Sequence, residues 1–104
     1  MSNKQNHKRW RKIFNEECLE RDNHKCRFCT ETDGLDVHHI TDRHEMPNGG
    51  YTKSNGITVC EDHHLLCEDF HSIGLCEPEY HPDELYKMIG SSHQKALTDS
   101  YNLK

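Results

Sequence analysis

Two short steps, Cys26-x2-Cys29 and Cys60-x2-His63, have the residue types and spacing to hold one metal ion. Two thiolates at this separation can grip zinc from a single tight turn, and three cysteines with one histidine make an ordinary structural zinc set. Interleaved with these steps is a second group: His38-His39 inside Val37-His38-His39-Ile40, Asn55 inside Ser54-Asn55-Gly56, and His64-x3-Glu68. Imidazoles and carboxylates bind divalent cations. An imidazole near its unperturbed pKa of about 6.5 can also take a proton at neutral pH. The segment Cys60 to Glu68 serves both groups.

Positioning these residues needs strands, a loop and a helix. Leu35 to Ile40 reads as a short strand and Ile57-Thr58-Val59 as a second. Between them, Thr41 to Asn55 is polar and rich in turn formers, with Pro47-Asn48-Gly49-Gly50 at its middle, so it reads as one long excursion. Loops of that length in small domains are usually functional. Cys60-Glu61-Asp62 opens a helix with acids in its first turn, as the helix dipole favours. Helical spacing then puts His64 and Glu68 on one face, with His71 a turn further along. His38 and His39 are adjacent, so a regular strand would point them to opposite faces. They can share a site only if the strand ends or distorts there.

On either side, Trp10, Ile13, Phe14 and Cys18 form an apolar stripe at helical spacing, edged by Lys8, Arg9, Arg11 and Lys12. The tail reads as two short helices. Pro82 starts one and Gly90 ends it. Ser91-x-x-Gln94 resembles a capping box for the other, with Leu97 and Tyr101 four apart on its face. Cys18, Cys67 and Cys76 read as small buried residues or free thiols. Cys67 is an alternative to His63 as fourth zinc ligand. His24, His44, His71 and His81 read as solvated, with His44 and His71 the candidate exceptions.

The chain has 104 residues, 32% hydrophobic and 30% charged, with a mean hydropathy of −1.06. That is one small domain with a thin apolar core, the kind that commonly relies on disulfides or a structural metal. Met1 to Gln5 carries no apolar signal segment, and no apolar run is long enough to span a membrane. A reducing, cytoplasmic setting is therefore expected, in which close Cys and His pairs read as metal ligands. Net charge is −5 but unevenly spread. Residues 1–30 hold eight Lys and Arg against four Asp and Glu; the remainder holds five against fourteen. Local field matters more than the total for attracting phosphate, so a DNA partner is neither required nor excluded by charge.

Taken together, the order of strand with two histidines, loop, asparagine, strand, and helix with His64 and Glu68 resembles the HNH endonuclease family, over Cys26 to about His71. The resemblance implies an α+β fold: a ββα-metal core with structural zinc, about residues 22–72. One domain over 1–104 would place an N-terminal helix (about 7–21) and C-terminal helices (about 82–101) around it. It implies that His38 is a metal ligand, His39 the general base and His64 a second ligand. Asn55 either holds the site together or contacts the metal. The family often has a third histidine ligand four residues after the second; Glu68 stands there in this chain, and His71 is the other candidate. The second zinc pair is usually Cys-x2-Cys, and here it ends in His63. The implied activity is hydrolysis of DNA phosphodiesters, as nicking of low sequence specificity by a monomer or weak dimer. A phage or prophage origin is common among small stand-alone members.

Phosphodiester chemistry asks for the same parts. An anionic diester resists attack, so a base must activate water and a cation must spread the developing charge. Mn²⁺, Mg²⁺, Ni²⁺ or Zn²⁺ would suit a mixed set of two imidazoles and a carboxylate. Arg43, in the loop, could clamp a phosphate oxygen with its planar fork. The alternative is a zinc-stabilised nucleic-acid- or protein-binding module whose second site is vestigial.

Overall fold

In the computed structural model, which describes residues 3–104 with side chains from Asn6 onward, the chain is an α+β domain. Met1 and Ser2, part of the polar start that carries no signal segment, lie outside the described residues. The elements are α1 (Asn3–Arg21), β1 (Leu35–His39), β2 (Gly56–Cys60), α2 (Glu61–Ile73), α3 (Pro82–Met88) and α4 (His93–Tyr101). Short 3-10 turns at Arg43–Glu45, Pro47–Gly50 and Lys53–Asn55 fill the excursion between the strands. No helix among the described residues is long and apolar enough to cross a membrane.

β1 and β2 pair antiparallel, from Leu35 opposite Cys60 to His39 opposite Gly56. Every residue of β2 is buried, because the two-stranded sheet is covered on both faces. On one side Ile57 and Val59 join Ile40, Met46, Cys67, Leu85 and Tyr86 in the larger core. On the other, Trp10, Phe14 and Cys18 of α1 pack with Tyr51. Gly56 lets α1 pack tightly on the strand: a Cβ there would stand 2.5 Å from Phe14 and 2.6 Å from Cys18. Thr58 on the same face donates its hydroxyl to the Cys18 carbonyl.

The stripe on α1 is narrower than its spacing suggests. Trp10, Phe14 and Cys18 are buried, but Ile13 is 44% exposed, since only one turn-to-turn line meets the sheet. α1 is closed by Asp22, whose carboxylate accepts from both Arg21 and Arg27 and from the Thr58 amide. Burial opposes its charge, yet these donors hold the carboxyl below its ordinary value.

In the tail, Gly90 stops α3 with φ +68°, a conformation open to glycine. The cap of α4 falls one residue later than Ser91-x-x-Gln94 implies. Ser92 is the N-cap and accepts from the Lys95 amide, while the Ser91 hydroxyl is committed to the Ser54 carbonyl. The buried face of the helix lies one position earlier than Leu97 and Tyr101 imply. Ala96 and Ser100 are buried, Leu97 is only partly so, and Tyr101 is 76% exposed.

Candidate functional site

All six cysteines are free of disulfides. Cys26, Cys29, Cys60 and His63 converge between the turn after α1 and the start of α2, and their ligand atoms could hold a metal ion such as zinc. Zn–S bonds of about 2.3 Å put tetrahedral sulfur atoms roughly 3.8 Å apart. Cys29 Sγ and Cys60 Sγ are separated by 3.7 Å, and Cys26 Sγ and His63 Nδ1 by 3.8 Å. The Cys60 Sγ–His63 Nδ1 edge is tighter, at 3.1 Å. Burial opposes ionisation of Cys26, but backbone amides of Phe28, Cys60 and Cys29 outweigh it and favour the thiolate. Phe28 stacks on the His63 ring at 5.2 Å and holds it in plane. Cys67 is not in this group. It is buried in the core, where burial pushes its thiol up to about 12.

A second cluster, His38, His64 and Glu68, takes its helical members from α2 as well, starting at the residue after His63. One carboxylate oxygen, Glu68 Oε1, is 3.2 Å from His38 Nδ1 and 3.1 Å from His64 Nε2. An octahedral ion with bonds near 2.1 Å would set adjacent ligand atoms about 3 Å apart, so the spacing and the donor set both suit a divalent cation. The His38 imidazole is 1% exposed; burial pushes its pKa down, against the pull of Glu68. The hydrogen bond from His38 holds the Glu68 carboxyl at about 2. Neutral imidazole beside ionised carboxylate is the protonation state that metal binding requires.

His71, the other candidate third ligand, is engaged elsewhere. Its ring stacks on His38 at 5.0 Å, and its Nε2 lies 2.8 Å from the His39 carbonyl oxygen. His44 is exposed and pairs with Asp42.

His39 occupies the opposite face of the strand from His38, as alternation demands. It stacks on Phe14 at 4.6 Å and meets the edge of Tyr51 at 5.1 Å. β1 ends at His39, however, and a cleft of about 500 Å³ runs along the strand to that end. His39, His64 and Glu68 therefore line one space, together with Arg11, Arg43 and Tyr51. Burial pushes the His39 imidazole down to about 4, leaving it a free base at neutral pH; its Nε2 is buried without a hydrogen-bond partner.

Asn55 does not line the cleft. It is wholly buried and ties the loop shut: Nδ2 donates to the Thr41 and Gly50 carbonyls, and Oδ1 accepts from the Thr41 amide and the Tyr86 hydroxyl. Of the two roles implied for it, its contacts match holding the site together.

Sequence reading passes over three contributors. Asp36 lies 3.3 Å from His64 Nδ1; its position two before His38, on the same strand face, was a usable signal. Tyr51 sits between two guanidinium groups, 3.4 Å from Arg11 and 3.5 Å from Arg43, and no motif marks it. Arg11 was visible only as part of a basic helix edge.

Comparison with protein-family models, curated proteins and solved structures gives no match.

Proposed function

We propose that this chain is a metal-dependent endonuclease of the HNH, ββα-metal kind that nicks DNA. The observation that carries the reading is the cleft at the end of β1, lined by His64 and Glu68 of the two-histidine, one-carboxylate cluster, by a histidine kept unprotonated, and by two arginines. The succession β1, loop, β2, α2 fits the same reading.

His39 would take a proton from the attacking water, its ring plane fixed by Phe14 and Tyr51 so that no reorientation is needed at the moment of transfer. Arg43 and Arg11, steadied by the shared Tyr51 hydroxyl, would bind phosphate oxygens and orient the diester. His38, His64 and Glu68 would hold a divalent cation, which when bound supplies charge stabilisation to the phosphate and the departing oxygen. Asn55 keeps the loop that carries Arg43 in register with the strand end. The Cys26, Cys29, Cys60 and His63 cluster, loaded with zinc, would anchor the start of α2 and so the spacing of His64 and Glu68.

One chain supplies one such site, so single-strand cuts are expected. The test is supercoiled plasmid incubated with Mn²⁺, Mg²⁺, Ni²⁺ or Zn²⁺. Open circles that form before any linear product, and not in the presence of chelator, are the expected outcome. Failure to relax plasmid with any of the four ions would overturn the nuclease reading and leave a zinc-stabilised binding module.

A further inference from the structure

We infer that Asp36 is a positioning residue for His64, fixing which nitrogen of that ring is free to bind a cation. The inference rests on the metal site proposed above. A neutral imidazole has one N–H and one lone pair, and it can carry the proton on either nitrogen. His64 stands between two carboxylates: Asp36 Oδ2 is 3.3 Å from Nδ1, and Glu68 Oε1 is 3.1 Å from Nε2. Glu68 also reaches His38, so the Nε2 side is the side of the cluster. The two nitrogens of an imidazole point away from each other, which keeps Asp36 out of that cluster and on the far side of the ring.

Asp36 is delivered there by the strand. It pairs with Val59 across the sheet and lies two residues before His38, on the face of β1 turned towards α2. By accepting the Nδ1 proton it leaves the Nε2 lone pair aimed at the position between His38 and Glu68. A carboxylate behind a metal-bound histidine also raises the basicity of the ring and fixes its plane. Removing such a partner typically weakens metal binding by about 10–100-fold. Side-chain exposure of 57% at Asp36 and 27% at His64 argues against a large contribution to folding, since exposed pairs add little stability. The geometry is thus better explained by tuning the ligand than by holding the fold.

The test is Mn²⁺ affinity, read by electron paramagnetic resonance on protein with its cysteine site loaded with zinc and without any nucleic acid. Asp36→Ala and Asp36→Asn should raise the Kd for Mn²⁺ about tenfold or more, and Asp36→Glu should recover most of the loss. Asp62→Asn, at an exposed acid on α2 outside the cleft, should leave the Kd within about twofold and so controls for net charge. If the Asn and Ala variants bind Mn²⁺ as tightly as wild type, or if Asp62→Asn weakens binding equally, the role of Asp36 is refuted. If wild-type protein binds no Mn²⁺ at all, the metal site itself is refuted and Asp36 with it.

Discussion

Phe14 and Tyr51 pack against the His39 ring and bury much of it, and that burial is the main cause of its lowered pKa. A ring whose pKa is depressed to about 4 keeps its lone pair as pH falls from 7.5 to about 5, whereas an unperturbed imidazole near 6.5 would be mostly protonated by then. With metal raised until the rate no longer responds to it, the acid limb of nicking should therefore lie below pH 5. A limb centred near 6.5 would show that His39 is not the base. The residue types in both clusters were legible from sequence because thiolates, imidazoles and carboxylates at those separations have few other uses. The choice between Glu68 and His71 was not, because both lie on the same face of α2 and only tertiary packing commits His71 to the His39 carbonyl.

At the level of elements, the strands, the helix between Cys60 and His71, and the breaks at Pro82 and Gly90 follow from local rules. Periodicity, first-turn acids and the positive φ of glycine are sequence-local properties. What escaped is what depends on contacts: the exposed side of α1 at Ile13, the cap at Ser92, and the register of α4. The Asn55 network belongs here too. Truncation by Asn55→Ala would strand the Thr41 amide and carbonyl, while the Gly50 carbonyl keeps the Thr52 amide and the Tyr86 hydroxyl keeps the Thr41 hydroxyl. Each group left unpaired costs about 1–3 kcal/mol, so a loss of roughly 2 kcal/mol or more is expected. For a domain near 100 residues that lowers Tm by at least about 8 °C; a shift under 3 °C would mean the loop holds without it. The Cys26, Cys29, Cys60 and His63 cluster, once loaded with zinc, should matter more. Thiolate zinc contributes about 10–16 kcal/mol of apparent folding energy in small domains, as much as the whole stability of an ordinary domain, about 5–15 kcal/mol. Cys26→Ser should accordingly yield unfolded or insoluble protein, and a cooperative melt at the wild-type midpoint would count against the cluster as a fold determinant.

Over the whole molecule, the excess of positive charge lies in the first thirty residues and the acids in the rest. Fold brings the two together: α1 supplies Arg11 to one wall of the cleft, while Glu68 and Asp36 come from the acidic part of the chain. A bound cation would offset that acidity in the cleft. Arg11→Ala should weaken DNA binding across sequences alike and reduce the salt dependence by about one phosphate contact, with the rate at saturation little changed. An unaltered salt slope would place the nucleic acid elsewhere. The central claim is that the cleft at the end of β1 hydrolyses phosphodiesters with His39 as the base. Its most direct test is the nicking rate of His39→Ala against wild type on supercoiled plasmid at saturating Mn²⁺, both proteins carrying equal zinc and melting alike. A fall of about a hundredfold or more is the outcome expected for a lost general base; a rate equal to wild type would contradict the claim.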